Sequence, residues 1–95
     1  MHVISRKALK EFAQKHPDSE SALNAWFRIM RENRFESFDA LRRVFPSADK
    51  VGNVIVFNIR GNKYRLIVSM HFNRGKAYVR HVLTHAEYDK GGWKS

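Results

Sequence analysis

The stretch "VIVFNIRGNKYRLIVSMHF", Val54 to Phe72, decides the fold class of this 95-residue chain. "VIVFNI" is a run of β-branched and aromatic side chains, and Gly61-Asn62 is a pair that readily takes positive φ. Together they predict two antiparallel strands joined by a two-residue hairpin turn. Strand residues two apart share a face, so Tyr64, Leu66, Val68 and Met70 form an apolar set that should meet the core. Lys63, Arg65, Ile67, Ser69 and His71 then form an open face. A second turn signal, Asn73-Arg74-Gly75, leads into "KAYVRHVLTH", a third strand of the meander. Here alternation is less decisive: Tyr78, Arg80, Val82 and Thr84 oppose Ala77, Val79, His81, Leu83 and His85.

Upstream the period changes. After a short extended start, "HVIS", Leu9, Phe12, Ala13 and His16 recur at the spacing of one helix face, with Ser5 as N-cap and Pro17 stopping the helix at His16. Asp18 or Ser19 is placed to cap a second helix, whose Ala22, Leu23, Trp26, Phe27 and Met30 form a broad apolar stripe. The pair makes a helical hairpin. "ESFDALRRVFPS" reads as a short helical turn capped by Ser37 or Asp39, ended by Pro46, with Phe38, Leu41 and Phe45 closing the core. The expectation is an α+β fold, one domain over 1–95, with the N-terminal helical hairpin packed on a twisted antiparallel β-sheet that leaves a basic face open.

The hydrophobic fraction of 43% is that of a chain that folds. No run approaches the roughly 18 apolar residues that cross a bilayer, and "MHVISRKALKEF" lacks the apolar core of a secretory signal. With no cysteine, disulfides and thiolate zinc sites are excluded. A cytoplasmic protein with no membrane association is expected. Eighteen Lys and Arg against nine acids give a net charge of +9, a field that attracts polyanions. Between Asp49 and Glu87 there is no acid, while Lys50, Arg60, Lys63, Arg65, Arg74, Lys76 and Arg80 all fall there.

Such a surface suits RNA. Cleaving RNA without a metal requires taking a proton from the 2′-OH, giving one to the leaving 5′-oxygen, and stabilising charge on phosphorus. A histidine exchanges protons near neutral pH, and arginine presents a fixed fork of donors to phosphate oxygens. His85 and Arg65 are the candidates for these roles, and Tyr88 for positioning or exchanging a proton or stacking a base. Lys63, Arg80, His71 and Lys90 are candidate RNA contacts that would position the backbone without reading sequence. Each also fits a plainer role: His85 as a strand-end histidine bonded to backbone, Arg65 and the lysines as solvated charges, Tyr88 as a packed ring. Glu87 and Asp89 read as local and structural. Trp93 reads as a lid over the helices or part of a partner interface. His71, His81 and His85 lack any metal-ligand spacing, and no glycine pattern makes a phosphate loop, so neither metal nor cofactor is expected. On residues alone, a non-catalytic RNA- or ribosome-binding module competes with a ribonuclease, and a partner for an acidic protein chain stands third.

Three blocks decide between them. "MHVISRKALKEFAQKHP", "VFNIRGNKYRLIV" and "YVRHVLTHAEYDK" resemble the HigB toxins of type II toxin-antitoxin modules, within the RelE-like superfamily. The resemblance runs almost from end to end and is sharpest in "GNKYRLIV" (Gly61 to Val68) and "THAEYD" (Thr84 to Asp89). It implies a small mRNA-cleaving ribonuclease, often acting on messages in the ribosome, held in check by a HigA-like antitoxin. The implied fold places helices on an antiparallel sheet with the active site on the opposite concave face. The family's basic strand position falls on Arg65 in "KYRLI" and its histidine on His85. Relatives in the superfamily combine an Arg or Lys set with a His or Tyr, so the acid and base stay unassigned at this point. "EYDKGGWKS" is short for a C-terminal helix.

Overall fold

The computed structural model describes residues 1–94. Helices and strands run in the order β1 (His2–Ile4), α1 (Arg6–Lys15), α2 (Glu20–Glu32), α3 (Phe38–Val44), β2 (Asp49–Val51), β3 (Val54–Ile59), β4 (Tyr64–His71), β5 (Lys76–Thr84) and α4 (His85–Lys90). The α+β reading and the helical hairpin stand. The sheet, however, is mixed: five strands in the order β1-β5-β4-β3-β2, antiparallel except where β1 lies parallel to β5. The extended start "HVIS" thus supplies a sheet edge.

Local chemistry sets most boundaries. The Ser5 side chain accepts from Lys7 N at the start of α1, and Ser37 accepts from Ala40 N at 3.1 Å at the start of α3. The expected cap of α2 is absent. Ser19 has turned inward, fully buried, and its Oγ donates to the His16 carbonyl at 2.7 Å, while Asp18 is engaged elsewhere. The hairpin turns differ too. Gly52-Asn53, with Gly52 at φ 58°, is the two-residue turn that joins the paired Val51 and Val54. The β3–β4 loop is longer than the predicted Gly61-Asn62 turn, because Ile59 and Tyr64 form the last pair and Arg60 also takes positive φ. Opening that loop lets Arg60 and Lys63 both reach Asp18 between α1 and α2.

The core lies between the helices and one sheet face. Leu23, Trp26 and Met30 of α2 and Leu41 of α3 meet Phe57, Leu66 and Val68, all nearly or completely buried. Phe57 takes Trp26 and Phe45 edge-on at centroid distances of 5.4 and 5.1 Å, the geometry that ring quadrupoles favour. Tyr64, Leu66 and Val68 face this core as predicted. Ile67 does not stay open: it is 1% exposed, and with its neighbour Val56 it forms an apolar floor on the opposite face. On β5 the ladder slips between Ile67 and Val68, pairing them with His81 and Val79 and leaving Arg80 as the extra residue of a bulge. The bulge reverses parity, which is why alternation could not sort this strand: Ala77, Val79 and Val82 pack on the core while His81 and Leu83 share the face of Arg65.

Asp18 ties the helical hairpin to the β3–β4 loop. Its carboxylate takes hydrogen bonds from Lys63, from Tyr64 Oη at 2.5 Å and from Arg60 Nη1 at 2.7 Å. These hydrogen bonds, Lys63's first, hold the Asp18 carboxyl at a pKa of about 2. A depressed carboxylate stabilises the fold fully above its unfolded pKa and loses that contribution as pH falls through the folded one. Wild type should therefore lose stability between about pH 4 and the folded value of about 2, whereas Asp18→Asn should be less stable at neutral pH and nearly flat across that window, as read by denaturant titration at each pH. Leu66→Ala, which empties a fully buried position, should cost about 2–5 kcal/mol in the same assay at pH 7.

Candidate active site

β5 does not run through His85. Thr84 ends the strand and caps α4 with a full capping box: its hydroxyl accepts from Glu87 N at 3.2 Å, and Glu87 Oε1 accepts from Thr84 N at 2.9 Å. The short tail does make a C-terminal helix, and Glu87 has the local structural role expected of it. These bonds, the one from Thr84 N foremost, lower the Glu87 pKa. At the other end Gly91 takes φ 74°, a left-handed C-cap that an L side chain would strain, and its N–H donates to the Tyr88 carbonyl. α4 thus starts and stops at fixed residues, beside β4 and β5.

On that face, register places Asn58, Arg65 and Leu83 in one row and Val56, Ile67 and His81 in the next. A cleft of about 380 Å³ opens over the first row, lined among others by Arg42, Asp49, Asn58, Arg65 and Tyr88. The Arg65 guanidinium lies 5.5 Å from the Tyr88 ring centroid. Its Nη1 donates to the carbonyls of Asn62 and Tyr64 at 3.1 and 3.2 Å, and its other N–H groups have no hydrogen-bond partner among the described residues. The side chain is anchored by one nitrogen and keeps donors for a ligand. The Arg42 guanidinium is steadied by the Pro46 carbonyl at 3.4 Å.

Of the residues singled out in the sequence, the cleft joins Arg65 and Tyr88 and leaves out the rest. His85 stands in the first turn of α4, three residues before Tyr88, about half exposed, with Nδ1 2.9 Å from Asp89 Oδ2. Its backbone N–H donates to the Lys63 carbonyl at 3.1 Å, so the backbone bond expected of a strand-end histidine is made by the amide. Lys63 is held by Asp18. Lys90 is exposed on α4, Arg80 sits in the β5 bulge, and His71 lies at the far end of β4 against the Tyr78 ring. Trp93 is not a lid over the helices. Its ring stacks on Tyr88 at 5.1 Å and 13°, its Nε1 donates to the Tyr88 carbonyl, and it borders the open sheet face.

Sequence reasoning missed Arg42 and Asn58. Asn58 carried a signal, a polar residue in an apolar strand at the position that pairs with Arg65. Arg42 carried none, since only packing of α3 brings it to the sheet. Among the described residues no group of three or more His, Cys, Asp or Glu could hold a metal ion, and no helix is long and apolar enough to cross a membrane.

Residues 19–91 match the family described as HigB_toxin, RelE-like toxic component of a toxin-antitoxin system. The chain is 38% identical over 92 residues to the mRNA interferase toxin HigB of Escherichia coli (strain K12), covering 94% of this chain and 88% of that protein. The mRNA interferase HigB of Shigella flexneri matches at the same identity and coverage. That of Escherichia coli O6:H1 (strain CFT073) is 33% identical over 93 residues, covering 95% and 90%. With both the family match and these relatives spanning most of its length, the chain belongs to the HigB toxins, the RelE-like toxic components of toxin-antitoxin systems.

Proposed function

We propose that this toxin is an endoribonuclease that cleaves mRNA and so blocks translation, with its reaction centre where α4 meets the row of Arg65. The observation that carries the placement is the Arg65 guanidinium set against the Tyr88 ring in a cleft shared with Arg42 and Asn58. The relatives that match along nearly the whole chain bear the name mRNA interferase, which supports mRNA as the substrate.

The chemistry follows from the side chains. The 2′-oxygen attacks the adjacent phosphorus, the bond to the 5′-oxygen breaks, and the products are a 2′,3′-cyclic phosphate, opened by water to a 3′-phosphate, and a 5′-hydroxyl. Arg65, with Arg42 in the same cleft, stabilises the charge that builds on the non-bridging oxygens. His85 transfers a proton: the Asp89 carboxylate accepts from Nδ1–H, which orients the ring and leaves Nε2 for exchange. Tyr88 positions the phosphate or serves as the second proton-transfer group. All of these are side-chain functions that need no metal. Arg80 and Lys90, with the His71 imidazole and with Lys63 in its ion pair to Asp18, form a margin to the open face that binds flanking phosphates without reading bases. A HigA-like antitoxin is the counterpart of such a toxin. Action on ribosome-bound messages in the cytoplasm fits its substrate.

His85→Ala should lower cleavage by about 10²–10⁴-fold. Arg65→Ala should lower it by about 10²–10³-fold. Both variants should stay folded, since each residue is partly or largely exposed. The measurement is 5′-end mapping of total mRNA after brief induction: wild type should create new ends within coding regions that vanish in both variants. Near wild-type cleavage by His85→Ala would remove that residue from the mechanism. Binding of RNA or ribosomes by wild type without any new ends would make the protein a docking module.

A further inference from the structure

A second cleft of about 460 Å³ lies on the same sheet face, on the far side of the Tyr88–Trp93 pair from Arg65. We propose that it is a subsite for one nucleobase of the RNA, the base neighbouring the phosphate held at Arg65. The assignment rests on the ribonuclease reading above and adds a place for the substrate that the reaction itself does not require.

The lining has the make-up of a base site. Its floor is Ile67, 1% exposed, flanked by Val51 and Val54, and its rim carries Arg80, His81 and Lys94. The volume falls within the range of small-ligand sites, about 300–1,000 Å³. An apolar floor is a poor seat for a bare phosphate, and a rim of two cations and an imidazole is a poor margin for a purely apolar ligand. A base joined to its sugar-phosphate satisfies both. The bulge in β5 is what makes this possible: regular alternation would send Arg80 and His81 to opposite faces, yet both border the cleft.

Trp93 gives the site its specificity class. The indole Nε1 is spent on the Tyr88 carbonyl at 3.0 Å and one ring face lies on Tyr88, so what the indole offers is stacking, which accepts any base. Lys94 Nζ lies 5.5 Å from the indole centroid, a cation that an entering base displaces toward its own phosphate. Asn53, in the tight turn at the cleft edge, makes no side-chain hydrogen bond among the described residues and presents both donor and acceptor to a base edge. Tyr88 lines one cleft and Trp93 the other, so a single strand crossing the stacked pair sets a phosphate at Arg65 and drops the adjacent base beside Trp93.

The test uses the wild-type protein, labelled with ¹⁵N, and a DNA tetranucleotide, which lacks the 2′-OH and so is not cut. The two indole N–H signals serve as site probe and internal reference, because Trp26 is 2% exposed in the core and Trp93→Phe assigns the other. The tetranucleotide should move the Trp93 indole and Asn53 amide signals and leave Trp26 still. The same backbone without bases should bind about tenfold more weakly and leave Trp93 unmoved. Asn53→Ala and Arg80→Ala should each weaken binding severalfold. Equal affinity for the abasic strand, or an unmoved Trp93 at saturation, overturns the subsite. So does movement of Trp93 by an acidic protein partner alone, which would give the cleft to the antitoxin. New mRNA ends in cells with an unmoved Trp93 would leave the ribonuclease reading standing and remove only the subsite. A moved Trp93 without new ends would sink the ribonuclease reading and, with it, a base placed beside a reacting phosphate.

Discussion

Leu66 and Val68 are fully buried on one side of β4 and Ile67 is almost fully buried on the other, so this strand meets apolar neighbours from both faces. A strand held in that way has one register. Slipping it by one residue would drive Arg65 into the layer of Leu23 and Phe57 and expose Leu66, an exchange of an unpaired charge for an apolar side chain that no local adjustment offsets. The address of Arg65 on the open face is therefore a consequence of core packing. The same register sets Asn58 and Leu83 beside it and His81 beside Ile67. The candidate site inherits its geometry from the most buried strand of the sheet.

The elements themselves were largely legible because periodicity and caps are local. Ser5, Ser37, Pro17 and the apolar stripe of α2 each report on a few neighbouring residues, and each reading stands. What failed was decided at a distance. The second helix lost its cap because Asp18 finds three better partners across the molecule, in Arg60, Lys63 and Tyr64. The hairpin turn after β3 opened for the same partners. Ile67 was placed on an open face by correct alternation, but alternation does not say what lies above a face, and here α4 and Trp93 come back over it.

The site shows the same division. Arg65 and Tyr88 were legible as chemistry, and their meeting is visible only once α4 exists. The capping box that starts α4 was in plain sight as "THAE", Thr84 to Glu87, a threonine followed three residues later by a glutamate. Reading it as strand instead carried His85 to the strand end, one element too early. Lys63 was singled out for its charge, and that charge is committed to Asp18. A count of cations overstates what remains free for a ligand, because an ion pair fixed at the edge of a site removes charge from it.

The parallel pairing of His2–Ile4 with Lys76–Tyr78 carries a kinetic consequence. The two partners are far apart in sequence, so this contact closes a loop that encompasses α1, α2, α3, β2, β3 and β4. Contacts so distant in sequence slow folding. Until β1 arrives, part of the β5 edge presents unpaired N–H and C=O groups, which are a template for pairing with another chain. The three-residue strand β1 thus acts as a seal, covering part of an edge that would otherwise invite another chain.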